Sequence, residues 1–359
     1  MVAQNHDCLN AKLMAANAKR LNSKDYQHLI KAKTIDEIWT YLRDNTVYHN
    51  VVQTIDGQSS RRIAIERGLR CFVPNEIKRF SYYVRGQERV FLRIYGLKED
   101  LINLKFLIRM LTQGVEPQNQ LTQWYQNAHN SILPVQKWSE IQDWDSFKRV
   151  ISQTELERVF SSYHDLDDEE SVFSIEKAIE RFYYDRLMGE IKKLPKREHL
   201  QLIEIFKKEY DLLNLIWFYR GKRFYHLTRE ELIAYSFKGG AKVKIPDIEK
   251  LSDARTLDEF LDEVQNYPDY NFLFPKDEAI DLHMEKRYER YLHRHFERLF
   301  YRSQNGFDKL IAYIEMLYID VKDITSMIEC KRYQLTEEET RKYLIRSING
   351  NRKGIENGN

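Results

Sequence analysis

The sequence is short of both residues that break helices, with 7 prolines and 13 glycines among 359 residues, about half the usual share of each. So few breakers point to a helical chain rather than a turn-rich β protein. Cysteine is also scarce. Cys8, Cys71 and Cys330 are odd in number and far apart, so neither a disulfide framework nor a zinc pair can be read from them. Reduced thiols of a cytosolic protein are the expectation. No long apolar run exists. The densest, Leu212 to Tyr219, is interrupted by Asn214, whereas a membrane span needs about 20 residues. Met1 to Arg20 has no apolar signal core. A soluble chain is expected, attached to a membrane only through a partner. Neither charge sign dominates. Lys plus Arg is 57, Asp plus Glu is 55 and the net charge is +2, which argues against a protein that coats nucleic acid.

Familiar catalytic signatures are missing as well. Gly221-Lys222-Arg223 and Gly239-Gly240-Ala241-Lys242 lack the hydroxyl residue that a phosphate loop carries after Gly-Lys. Gly239 and Gly240 read as a tight turn, with a ligand loop as the alternative. No Gly-x-Ser-x-Gly, Gly-x-Gly-x-x-Gly or His-Glu-x-x-His string occurs. No catalytic residue, cofactor or bound metal is therefore expected.

What the chain does have is a repeat. The hydrophobic share is 42% and the aromatic share 13%, enough for a folded core. Aligning Asn103, Asn214 and Asp323, which stand 111 and 109 residues apart, superimposes three apolar stripes. Ile94, Ile205 and Ile314 lie nine residues before the polar anchor, Leu101, Leu212 and Val321 two before it, and Leu104, Leu215 and Ile324 one after it. These offsets follow helical spacing, so one helix face recurs three times. A second landmark keeps the same period. Thr34 and Thr256 fit helix N-caps, with Glu37 and Glu259 placed to complete a capping box. Asp143 can cap in the middle copy, but Ser146 stands where the acid would be, so half a box is expected there. Thr228 and Thr336 open two further helices with acids in the first turn, where the helix dipole favours them.

The expected architecture is all-α, in three tandem pseudo-equivalent helical units over residues 1–118, 119–226 and 227–346, with a disordered tail over 347–359. The anchors Asn103, Asn214 and Asp323 read as buried polar residues bonded to a neighbouring helix and fixing its register, with direct partner contact as the alternative. Arg109 and Arg220 follow their anchors by six residues and read as cations at helix C-termini, with an ion pair as the alternative. The third copy has Glu329 there, so no shared charge role is expected. Residues 61–93 carry nine basic residues against three acids, and 139–170 carry ten acids against three bases. Arg85, Arg89 and Arg93 are the candidate partner contacts. A nucleic-acid patch using 61–93 is the alternative, but opposite lobes in a neutral chain suit protein docking better. Glu289, His293 and Glu297 share a helix face and could hold a divalent cation. Lys286, Arg290, Arg294 and Arg298 crowd the same helix and favour a solvated charged face instead.

Tyr210-Asp211-Leu-Leu-Asn214-Leu-Ile-Trp-Phe-Tyr-Arg220-Gly221-Lys222 resembles the C subunit (eukaryotic d subunit) of V-type and A-type rotary ATPases. So do Leu21-Asn-Ser-Lys-Asp-Tyr26 with Thr34-Ile-Asp-Glu-Ile38, and the Gly239-Gly240 pair. The resemblance covers roughly residues 10–345 and includes the three-fold internal repeat. Asp323 departs from the expected Asn, Glu329-Cys330-Lys331 from Arg-Gly-Lys, and Met110-Leu111 from Gly-Lys. The resemblance implies a funnel of three helical units without an active site. It further implies a seat on the cytoplasmic face of the membrane, between the central-stalk subunits D and F and the rotor ring. The role implied is torque transmission for proton or sodium transport.

Overall fold

The computed structural model describes residues 2–52, 61–115, 135–160, 169–196, 198–275 and 280–347. Among these residues there is no β-strand, in line with the scarcity of Gly and Pro. In chain order the helices are α1 (Val2–Asn17), α2 (Ser23–Lys31), α3 (Ile35–Asn45), α4 (His49–Val52), α5 (Arg61–Ser81), α6 (Gly86–Tyr95) and α7 (Lys98–Thr112). Next come α8 (Val135–Trp138), α9 (Trp144–Ile151), α10 (Glu157–Phe160), α11 (Glu169–Ile191) and α12 (Leu200–Phe224). The last are α13 (Arg229–Tyr235), α14 (Ile245–Asp253), α15 (Leu257–Val264), α16 (Ile280–Arg302), α17 (Gly306–Arg332) and α18 (Glu337–Tyr343). The tail expected over 347–359 lies, beyond residue 347, outside the described residues, as does the first unit boundary.

Two compact units form, one from residues 1–73 with 199–359 and one from 74–198. In the first, the long helix α17 packs along α16 and also against α1, α2 and α3. Helices α12 to α15 pack among themselves, and α12 also meets α16. In the second, α11 packs against α6 and α7.

The helix starts follow local chemistry. Thr34 accepts from the Glu37 amide at 3.2 Å, and Glu37 Oε2 accepts from the Lys33 amide at 2.7 Å. Thr256, Glu259 and Arg255 repeat both bonds at the same distances. In each case the carboxylate reaches the amide before the cap rather than the cap's own, so the expected box is shifted outward by one residue. Asp143 corrects the half-box expectation. Ser146 Oγ accepts from the amides of Gln142 and Asp143 at 2.9 and 3.0 Å, while Asp143 Oδ1 accepts from the Ser146 amide at 2.8 Å. A hydroxyl has the lone pairs that the bond requires, so no acid is needed. Thr228 with Glu231 and Thr336 with Glu339 form matching full boxes.

The helix stops recur too. Gly114, His226 and Gln334 all take a left-handed conformation, at φ 65, 47 and 56°. An apolar residue follows each one. The amides of Val115, Leu227 and Leu335 donate back to the carbonyls of Met110, Gly221 and Cys330 at 2.9, 3.1 and 2.9 Å. This is the closing turn that satisfies orphan carbonyls at a helix end. One copy differs. The helix carrying the first anchor is interrupted at Gly96 and Leu97 into α6 and α7, whereas α12 and α17 run unbroken for 25 and 27 residues.

Candidate interaction elements

All three anchors are buried, Asn103 on α7, Asn214 on α12 and Asp323 on α17. Asn214 Nδ2 donates to the Phe237 carbonyl at 2.9 Å, and the Phe237 amide donates to Asn214 Oδ1 at 2.7 Å. The anchor thus grips the chain leaving α13, where a neighbouring helix was the expectation. Asp323 grips the chain leaving α18 in the same way, accepting from the amides of Ile345 and Arg346 at 2.7 and 3.0 Å. The departure from Asn has a chemical reason. An amide side chain both donates and accepts, so it can take the N–H and the C=O of one residue; a carboxylate only accepts, so it takes two successive N–H groups. Burial nevertheless pushes the Asp323 carboxyl up to about 6, against the lowering effect of those N–H groups and the Tyr26 hydroxyl.

One turn before the anchor stands a second buried acid in each copy, Asp100, Asp211 and Asp320. Asp211 accepts from the amides of Lys242 and Val243 at 2.6 and 3.2 Å and from the Tyr270 hydroxyl at 2.7 Å. Its carboxylate lies so close to Gly240 that a Cβ there would come within 1.7 Å of Oδ1. Gly239 supplies the φ of +100° that the turn needs. The Gly-Gly pair is therefore a turn braced by Asp211. Asp320 instead takes a bidentate ion pair from Arg20, at 2.7 and 2.9 Å, with both side chains buried. The Tyr26 hydroxyl lies 3.1 Å from both Asp320 Oδ1 and Asp323 Oδ2.

Six residues past the anchor the charges are paired. Arg109 meets Glu176 on α11 at 2.5 and 2.9 Å, and Arg220 meets Glu285 on α16 at 2.8 Å. In the third copy Glu329 meets Arg62 on α5 at 2.5 Å. A shared charge role thus exists, with its polarity reversed once. Sequence reading missed it because the compensating residue lies at the far end of the chain. In each case the partner lies on another long helix, α11, α16 or α5.

Two lysines repeat this logic. Lys222 Nζ donates to the carbonyls of Ser252 and Ala254 at 3.0 and 2.6 Å, at the end of α14. Lys331 Nζ donates to the Ile30 carbonyl at 2.6 Å, at the end of α2. Helices α2 and α3 thereby take beside α17 and α18 the place that α14 and α15 take beside α12 and α13.

Arg85, Arg89 and Arg93 are exposed along α6, with Arg85 at its N-cap. The three members of the metal alternative do not converge. Glu289 pairs with Lys322 at 2.7 Å and Lys286 at 3.6 Å. His293 is buried with Nδ1 lacking a partner, and burial together with the charges of Arg20, Arg346 and Arg294 pushes its pKa down to about 3. Among the described residues no group of three His, Cys, Asp or Glu side chains could hold a metal ion. No helix among them is long and apolar enough to cross a membrane.

Buried polar side chains that pin the backbone and ion pairs that join long helices define an all-helical protein built around its anchors. The family model described as ATP synthase (C/AC39) subunit matches residues 9–343, and the chain belongs to that family. It is 22% identical over 356 residues to the C subunit of the A-type ATP synthase of Methanocaldococcus jannaschii, covering 94% of this chain and 85% of the relative. With the corresponding A-type ATP synthase protein of Methanosarcina mazei it shares 21% identity over 254 residues, 71% of this chain and 68% of the relative.

Proposed function

We propose that this chain is a non-catalytic adaptor in the rotor of a V-type or A-type ATPase. In this reading it joins the central-stalk subunits D and F to the membrane rotor ring on the cytoplasmic face. It passes torque between stalk and ring for proton or sodium transport. The observation that carries the reading is the family match across residues 9–343. The three tandem units over 1–118, 119–226 and 227–346 belong to the same proposal, supported by the recurring anchors, ion pairs and left-handed helix ends. Anchors that fix backbone with buried, hydrogen-bonded groups suit a part that must resist deformation. The test is co-expression with the stalk and ring proteins. A stoichiometric complex is expected, as is no heat of ATP binding to the isolated chain in calorimetry. Failure to associate, or micromolar ATP affinity, overturns the reading.

A further inference from the structure

The second half of α16 carries a row of arginines that the rest of the described chain leaves unmatched. Earlier on the same helix the cations are engaged. Lys286 pairs with Glu289 at 3.6 Å, Arg287 donates to the Leu273 carbonyl at 3.2 Å, and Arg290 donates to the carbonyls of Lys342 and Leu344, both at 2.7 Å. Arg294, Arg298 and Arg302 then follow at steps of four, and all three are exposed. Among the described residues none of them has an ion-pair or hydrogen-bond partner. Like charges at i and i+4 repel one another on a helix, so the row costs the isolated chain stability. Its two borders are settled. On one, Tyr301 is 61% exposed and its hydroxyl accepts from Asn17 Nδ2 on α1 at 3.3 Å. On the other, the His295 ring lies between Lys208 Nζ at 3.3 Å and the Tyr291 carbonyl at 2.9 Å. One acid adjoins the row. Glu297 is half-buried, stands one turn before Tyr301, and has no ion-pair partner among the described residues.

We infer that this face of α16 is a docking surface for a helix of a partner protein in the ATPase that presents acids at i, i+4 and i+8. The three arginine positions span about 12 Å along the axis, roughly two turns. A line of side chains at steps of four is one of the ridges by which helices pack, so a partner's ridge of the same step repeats at the same spacing. Carboxylates on that ridge meet guanidinium groups, whose planar fork holds a carboxylate through two N–H groups. The Tyr301 ring gives the partner's edge an apolar rest. Charge complementarity selects this occupant, and Glu297 sharpens the choice. A protein helix can set a Lys or Arg opposite Glu297 and acids opposite the row. Nucleic acid and anionic lipid headgroups offer only negative charge, which Glu297 repels. The inference rests on the adaptor reading, since it draws the partner from the same ATPase.

The test places the photo-cross-linker p-benzoylphenylalanine at position 301 of the full chain, where one aromatic group replaces another, co-expressed with the stalk and ring proteins. The assembled complex is isolated, irradiated and mapped by mass spectrometry. The expected product joins position 301 to a segment of a co-purified ATPase protein that carries Asp or Glu at i, i+4 and i+8. Arg298→Glu is expected to cut the yield at least five-fold, and changing the facing acid of the mapped segment to Arg to restore it. Circular dichroism of each variant checks that the fold is kept. An intact complex with no cross-link, with a cross-link to lipid or nucleic acid, or with one to a segment lacking that acid spacing overturns the docking proposal and leaves the adaptor reading standing. So does a yield that Arg298→Glu leaves unchanged. A chain that joins no ATPase protein overturns both.

Discussion

At the scale of single residues, the buried groups Asp323 and His293 set a pH dependence with two opposing parts. Burial raises the Asp323 pKa to about 6, above that of an unfolded aspartate, so the folded chain binds the extra proton. The stability this contributes is fully present below pH ~4 and is lost as pH rises through about 6, roughly 3 kcal/mol in all. His293 acts the other way. Its pKa of about 3 lies below that of an unfolded histidine, so its contribution is present above pH ~6.5 and is lost as pH falls through about 3. Between pH 4 and 6 the two slopes oppose each other. Asp323→Asn is expected to leave stability rising steeply with pH over that range, and His293→Gln to leave it falling. Denaturant unfolding at four pH values measures both, and parallel profiles for the two variants would contradict the assignment. Gly240→Ala is a separate residue-scale case. Its Cβ has no room beside the Asp211 carboxylate, and relieving that clash disrupts the bonds to Lys242 and Val243. A loss of about 3 kcal/mol is expected in the same assay.

At the scale of helices, the reversed ion pair tests whether the third copy truly matches the others. Arg62 and Glu329 are about one-third exposed, so solvent weakens the pair and a coupling of about 0.5 kcal/mol is expected. Glu329→Arg should destabilise by setting two guanidinium groups together, and the added change Arg62→Glu should recover the loss with the polarity of the other two copies. A double-mutant cycle reads this directly, and no recovery in the double variant would show that the pair is incidental. The helices themselves were legible in the sequence. Thr34, Thr228, Thr256 and Thr336 announced helix starts through side-chain chemistry that acts over three or four residues. The anchors were visible as polar residues inside apolar stripes. Their partners were not, because Phe237 and Ile345 offer only backbone atoms, which no side-chain pattern reveals.

At the scale of the whole chain, the two ends hold each other. Arg20 and Tyr26 bond Asp320, Arg346 Nη1 donates to the Leu21 carbonyl at 2.5 Å, and Lys331 caps α2. One apolar cluster contains Leu29, Ile38 and Leu42 from the start of the chain together with Ile324, Met327 and Leu344 from its end. Arg20→Ala leaves Asp320 buried without its guanidinium, and breaking such a pair costs roughly 3–5 kcal/mol. Faster amide exchange at residues 344–346 should accompany that loss, ahead of any change in α13 to α15. Uniform exchange across both regions would argue against a local clasp. This closure was hidden from the sequence because no local pattern links side chains some 300 positions apart.

A chain closed in this way cannot finish folding as it leaves the ribosome. Helices α2 and α3 are synthesised some 300 residues before α17 and α18, which cover their apolar faces. At the ~5–20 residues per second typical of translation, those faces stay uncovered for about 15 to 60 seconds. The α2–α3 segment is therefore a natural client for chaperones, and its dependence on them should end only once α17 and α18 have been made.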